Sequence, residues 1–335
     1  MIATKLPPKA KWQLPTRWSL TIIAGFKSSD GVVICADTQE TQEPMKRHVK
    51  KVRMEPENAS IRRILGGIDA SAAFCGSGSG PFIDMLIDKA WKRASHTKTL
   101  DDSCTAIEGE IKHAYKEYGE IFQPGSMPYA EIIYGVMAEG DSRLFLASGP
   151  IVVEKKEYET SGIGGDLANY LISRMYGSSL NLYQCVILAA YVLLQTKNHV
   201  EGCGGQSHIA VLRNDGESGV VDSRRVEAIT DLLESADLHA GRLLLRAADL
   251  SKDEEALERS IQEFQTGVTM SRGRANQSIG RNDEFWNSIM NGLGGAKMQF
   301  ERDVFGFITT RTCVPDGKND NDPTSPDSQA SDETI

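Results

Sequence analysis

The chain has 335 residues, 40% of them apolar and 25% charged, with a formal net charge of -9. That balance excludes a fibrous, fully disordered or membrane-spanning chain, and no run approaches the roughly 18 apolar residues that a membrane helix needs. The length allows one large domain with an appendage, and the acidic balance argues against a nucleic-acid surface.

From the N-terminus, residues 1–20 carry Lys5, Lys9 and Lys11 with prolines but no apolar segment, so they read as an extension or propeptide rather than a secretory signal. Thr21–Lys27 and Val32–Asp37 are rich in β-branched residues and flank Ser28-Ser29-Asp30-Gly31, the pattern of a β-hairpin. Short strands are expected at Ile61–Leu65 and Ser71–Cys75. Pro81 then opens a helix with an apolar stripe from Phe82 to Trp91, and a second helix begins near Asp101–Ser103 and runs to Ile121. Strands return at Glu131–Ala138, Ser142–Ala147 and Ile151–Val153. A third helix follows Gly162-Ile163-Gly164-Gly165, and a fourth, Leu182–Lys197, is apolar nearly all round and is therefore expected to be buried. Strands Ser207–Leu212 and one ending at Val221 flank the turn Asn214-Asp215-Gly216.

Helix pairs bracketed by strands fit an α+β protein in which two antiparallel sheets stack face to face, each with helices outside it, an αββα sandwich of four layers. Beyond it the periodicity becomes helical. The expected division is an N-terminal extension 1–20, a sandwich domain 21–222, a helical extension 223–313, and an acidic tail 314–335 with six acids against one lysine. The six cysteines are scattered through apolar runs and read as reduced core residues of a cytoplasmic protein.

Residues 21–222 resemble a proteasome β-type subunit of the N-terminal nucleophile hydrolases. The likeness rests on three features in order: the Thr21–Asp37 hairpin, Ser161-Gly162-Ile163-Gly164-Gly165 opening a helix, and Gly202-Cys203-Gly204-Gly205 before a strand. The resemblance implies a threonine peptidase with Thr21 as nucleophile and Asp37 as the acid that pairs with a nearby cation. An ungapped match puts Arg53 sixteen residues after Asp37, and a two-residue deletion puts Lys51 there; Lys51 is favoured because Val52 follows it in the family's manner. A lysine beside the threonine lowers the pKa of its hydroxyl, whereas a guanidinium cannot share a proton. Oxyanion stabilisation is expected from a backbone N–H of Gly76 or Gly78, in the glycine-rich run Cys75–Gly80. The alternative reading is that these glycines only permit a tight turn.

Other positions depart from the family pattern. Ile163 stands where a supporting serine is expected, Val200 and Cys203 where an aspartate and a serine are expected, and Leu20 where self-processing members have glycine. His199 and Glu201, beside Val200, read as an exposed pair. His199, Cys203 and His208 have a zinc-like spacing without a fourth ligand, and the glycine turns lack a Walker lysine, so neither metal nor cofactor is expected. The basic residues Lys46, Arg47, Lys50, Lys51, Arg53, Arg62 and Arg63 read as a solvated face, some of them reaching the threonine. Two functions follow. One is a threonine hydrolase acting on peptide or protein substrates once Thr21 becomes N-terminal. The other is an inactive assembly or partner-binding protein. The resemblance implies self-association into rings or dimers, and neither a nucleic-acid nor a membrane partner is expected.

Overall fold

The computed structural model of the chain describes residues 21–42, 45–57, 70–122, 126–293, 299–302 and 308–311. The segments 1–20 and 314–335 and the expected strand Ile61–Leu65 lie outside the described residues. The fold is α+β, with antiparallel sheets.

Strands β1 (Ile23–Ser28) and β2 (Gly31–Asp37) form the expected hairpin, in register Ile23↔Ala36 through Ser28↔Gly31, so Ser29 and Asp30 make the turn. The Asp30 carboxylate accepts from the Ser28 hydroxyl and from the Leu182 N–H, which ties the turn to the start of a distant helix. The first sheet has the order β10-β1-β2-β11-β12, with β10 (Tyr158–Ser161), β11 (Ser207–Arg213) and β12 (Ser218–Val220). The second has the order β5-β6-β7-β8-β9: β5 (Val52–Glu55), β6 (Ala70–Gly78), β7 (Ala130–Ala138), β8 (Asp141–Ser148) and β9 (Ile151–Lys155). A polar hairpin, β3 (Gln39–Gln42) with β4 (Met45–His48), joins the two sheets in sequence and was not foreseen; neither were β5 and β10.

Alternation decides where each strand residue goes, because successive side chains of a strand point to opposite faces. Val33 and Cys35 of β2 enter a cluster with Ala24, Phe26, Ile209 and Val211 that is covered by three helices: α3 (Gly165–Met175), α4 (Leu182–His199) and the first turns of α5 (Ser223–Ala247). Their neighbours Val32, Ile34 and Ala36 enter a second cluster, facing Val52, Ala73, Cys75, Ile133 and Leu144 of the other sheet. The outer face of that sheet, with Phe74, Ile132, Tyr134 and Phe145, packs on α1 (Gly80–Ala94) and α2 (Leu100–Ile121). Strand β2 is thus buried on both sides, which explains its unbroken apolar run. Helix α4 is capped by Asn181 and Gln184 in a reciprocal box, and most of its faces are buried as anticipated.

Beyond α5, helix α6 (Glu254–Leu293) runs back along it, and a short hairpin follows, β13 (Gln299–Arg302) with β14 (Ile308–Arg311), where helix alone was expected. Five of the six cysteines are described, and all five are free and buried. No helix among the described residues is long and apolar enough to cross a membrane.

The sheets meet through glycine. A Cβ on Gly135 of β7 would lie 2.7 Å from Val32 Cγ1 and 3.0 Å from Leu212 Cδ1, both in the other sheet. Gly109, exposed in the middle of α2, has nothing among the described residues within 4 Å of such an atom. Gly135→Val is therefore expected to destabilise the fold by about 1–3 kcal/mol through overpacking. Gly109→Ala should stabilise it by about 0.5–1 kcal/mol through helix propensity. Denaturant unfolding of the two variants beside the native chain checks both signs.

Candidate active site

Asp37 is the last residue of β2, and its side chain has no solvent exposure. An isolated buried carboxylate would be strongly disfavoured, so its oxygens must find donors. They find four. Oδ1 accepts from the Thr21 hydroxyl at 2.5 Å, from Lys51 Nζ at 2.7 Å and from the Ile22 N–H at 3.2 Å, and Oδ2 accepts from the Gly204 N–H at 2.9 Å.

Lys51 immediately precedes β5 and reaches across from the second sheet, its side chain only 10% exposed. Its ammonium has three protons and donates to three oxygens: Thr21 Oγ1 at 2.5 Å, Asp37 Oδ1, and the carbonyl of Gln39. Burial pushes the Lys51 ammonium below the ordinary lysine range, and the charge and hydrogen bond of Asp37 hold it up against that. The Thr21 hydroxyl therefore donates to a carboxylate and accepts from an ammonium at once. Arg53, the other candidate cation, stands within β5 and pairs instead with Glu55 and Asp88.

The glycine-rich features converge on the same place. Gly162, at φ +90°, lies against the Thr21 backbone, where a Cβ would come 2.3 Å from the Thr21 carbonyl oxygen, and the Gly164 N–H donates to that oxygen at 3.2 Å. Gly204 donates to Asp37 while its carbonyl accepts from the Gln39 N–H. Gly76 and Gly78 are not in a free turn. They sit in β6, in register with Ile132 and Ala130, and Gly78 has φ +132° beside the Tyr129 carbonyl.

Sequence reasoning missed Lys197, in the last turn of α4. It donates to the Gly205 carbonyl at 3.1 Å and the Ser207 hydroxyl at 2.8 Å, so it fixes the loop that carries Gly204. Burial lowers its pKa and the nearby Asp37 raises it. The donors Gly204, Gly164 and Ile22 act through backbone N–H groups, which no residue type announces; the doublet Gly204-Gly205 was the available signal. Ile163, Val200 and Cys203 pack into the apolar cluster beside this site. Burial and the Asp37 charge push the Cys203 thiol up to about 12, against the opposing pull of Lys51. His199 and Glu201 are exposed, as read. Among the described residues no group of three or more His, Cys, Asp or Glu side chains could hold a metal ion. Among the other basic residues, Arg47 pairs with Glu40 and Lys50 with Glu57; Arg62 and Arg63 lie outside the described residues.

No family model and no curated protein matches the chain. Solved structures do. Anbu from Hyphomicrobium sp. strain MC1 matches at 14% identity and a TM-score of 0.52, over 66% of this chain and 97% of that one. Anbu (ancestral beta-subunit) from Yersinia bercovieri matches at 12% identity and a TM-score of 0.53, over 68% of this chain and 97% of that one. The chain thus has a proteasome-like fold, shared with ancestral β-subunits. This corrects the resemblance drawn from the sequence: the neighbours are Anbu proteins rather than proteasome β-type subunits, and likeness at this identity carries the fold alone. The glycine turns that suggested the narrower family are set in this chain by backbone geometry, with positive φ at Gly162 and Gly205, which a family is not needed to explain.

Removing Lys51 leaves a buried carboxylate without its cation. Lys51→Met and Asp37→Asn are each expected to destabilise the protein by about 3–5 kcal/mol. The double variant should cost far less than the sum of the two, because either change already ends the charge pairing. Thermal and denaturant unfolding of the four proteins checks this, and additive losses would show that the pair is not coupled.

Proposed function

We propose that the chain is a proteasome-like threonine hydrolase that cleaves peptide or amide bonds through Thr21 once residues 1–20 are removed. The observation that carries the reading is the Thr21 hydroxyl held between Lys51 Nζ and Asp37 Oδ1, at 2.5 Å from each. In this reading the domain 21–222 is a four-layer αββα sandwich of the N-terminal nucleophile kind, supported by its two sheets and by the helices that cover the outer face of each.

The chemistry follows from the charges. Thr21 Oγ1 attacks the substrate carbonyl carbon and gives its proton to the α-amine of the same residue, freed by processing. The Lys51 ammonium stabilises the oxygen as it becomes an alkoxide, and Asp37 with the Gln39 carbonyl keeps that ammonium aimed. The reading assigns the oxyanion to a backbone N–H of Gly76 or Gly78. The C–N bond breaks as the leaving amine takes the proton, an ester remains on Oγ1, and water hydrolyses it to restore the hydroxyl. Self-association belongs to the same proposal and is supported by likeness to proteins described as β-subunits.

A second reading, an inactive assembly protein, is favoured by Leu20 before Thr21 and by the apolar Ile163, Val200 and Cys203 around the site. One experiment separates the two. The purified chain, with and without cell extract, is treated with an electrophilic β-lactone and weighed intact. The hydrolase reading expects loss of residues 1–20 and a single adduct, absent from Thr21→Ala and slowed at least about a hundredfold in Lys51→Met. A retained N-terminus with no adduct under either condition supports the assembly reading instead.

A further inference from the structure

The paired helices α5 and α6 carry a feature that the Thr21 site does not use. They are joined closely where the Ser235 and Ser271 hydroxyls meet at 2.7 Å and where the His239 ring lies against Gly267, a position at which a Cβ would come 2.4 Å from Nε2. Alongside that crossing, towards the connection between the helices, lies a cleft of about 680 Å³. That volume falls within the range of ligand sites.

Its lining has one dominant sign. Among the described residues, Arg242 and Arg246 of α5 and Arg259 and Arg274 of α6 present four guanidinium groups, against the single carboxylate of Glu263. Glu263 is taken by Arg246, Arg259 reaches Glu255 only at 3.6 Å, and Arg274 has a neutral partner, the Ser271 hydroxyl. Arg242 has no acidic partner among the described residues. Arg242 and Arg246 are also one helical turn apart, a like-charge spacing that weakens a helix unless a counter-charge arrives.

The shape narrows the ligand. Arg259 and Arg274 are separated by about 22 Å along α6 at 1.5 Å per residue. That length matches about seven residues of extended peptide. Between Arg259 and Arg274 the cleft presents the apolar side chains of Leu243, Phe264 and Met270 beside Arg242 and the Arg246–Glu263 pair. Guanidinium forks bind carboxylates bidentately, and the apolar side chains interspersed among them suit apolar side chains of the same peptide. A nucleic-acid backbone offers no such apolar element, and the net charge of -9 opposes its approach.

We propose that this cleft is a docking groove for an extended acidic peptide of a partner protein. The site stands apart from Thr21 and holds whether or not that residue is ever unmasked.

The test is fluorescence anisotropy with a fluorescein-labelled dodecapeptide of four Glu-Glu-Leu repeats, added to the full chain near physiological salt. A Gln-Gln-Leu counterpart and a twelve-nucleotide uridine RNA serve as comparisons. A full chain with Asp316, Asp320, Asp322, Asp327, Asp332 and Glu333 changed to their amides removes competition from its own acids. The acidic peptide is expected to bind at least about tenfold more tightly than either comparison, with Arg242→Glu weakening it about tenfold. Arg242 is exposed, so this variant is expected to keep its fold, which circular dichroism verifies. Binding only by the amidated chain would support the groove and identify the chain's own acids as competitors. No binding by either chain, equal binding of the Gln peptide, or tighter binding of the RNA overturns the proposal.

Discussion

A carboxylate shut away from water at the end of β2 sets the terms for the neighbouring chain. Asp37 has no exposed side-chain surface, and a charge in that position is tolerated only when cation and hydrogen-bond donors surround it. Its donors come from separate stretches: Thr21 and Ile22 just before β1, Lys51 just before β5, and Gly204 in the loop after α4. Because Asp37 belongs to one sheet and Lys51 leads into the other, the ion pair fastens the two sheets at one end. The Thr21 hydroxyl lies on that fastening, so its environment is set by the same constraint that closes the sandwich.

The surroundings strengthen the pair by being apolar. Ile163, Val200 and Cys203 join the cluster beneath the first sheet and offer little to compete for the charges, and an attraction of given geometry is larger in such a medium than in water. The same replacements leave the carboxylate dependent on a small number of backbone donors, which makes the position of the Gly204 loop important. Lys197 holds that loop through Gly205 and Ser207. A network for which the sequence suggested further polar side chains is here carried by Lys51, the Thr21 hydroxyl and the N–H groups of Ile22 and Gly204, with Lys197 holding the loop.

What the sequence discloses, and what it withholds, follows from which atoms carry the information. Strands β1 and β2 are legible because their apolar residues have nowhere else to go and Ser29-Asp30 can turn; α4 is legible because burial on most faces leaves an apolar run. The β3–β4 hairpin is not. Its residues, from Gln39 to His48, are mostly polar and show no apolar alternation for a pattern to reveal. Strand β10 is likewise short, an edge strand with a mixed sequence, Tyr-Glu-Thr-Ser. The rivalry between Lys51 and Arg53 turns on the length of that unseen hairpin, and the geometry separates them by direction: Lys51 lies before β5 and reaches Asp37, whereas Arg53 lies within β5 and pairs with Glu55 and Asp88. The family likeness read from glycines was too narrow because those glycines answer to backbone conformation, at Gly162 and Gly205 through positive φ, and not to one family's chemistry.

Helix α4 gives the paired helices and the buried carboxylate a common mount. On one side Tyr191 and Gln195 hydrogen-bond the Asp237 carboxylate of α5, at 3.2 and 3.1 Å. Val226 and Ile229 of α5 complete the rooting by packing into the same cluster as α4. At its C-terminal end α4 supplies Lys197, which holds the loop of Gly204. A helix packed on so many faces resists bending or sliding, since close-packed interiors do not deform continuously. The arginine cleft lies further along α5, past Asp237, where the helix has left the core and most of its residues are exposed. The root of the projecting helices is therefore fixed by the packing that orders the Asp37 loop, while among the described residues their outer turns pack chiefly on each other. That division lets the outer turns carry like charges that the core could not hold.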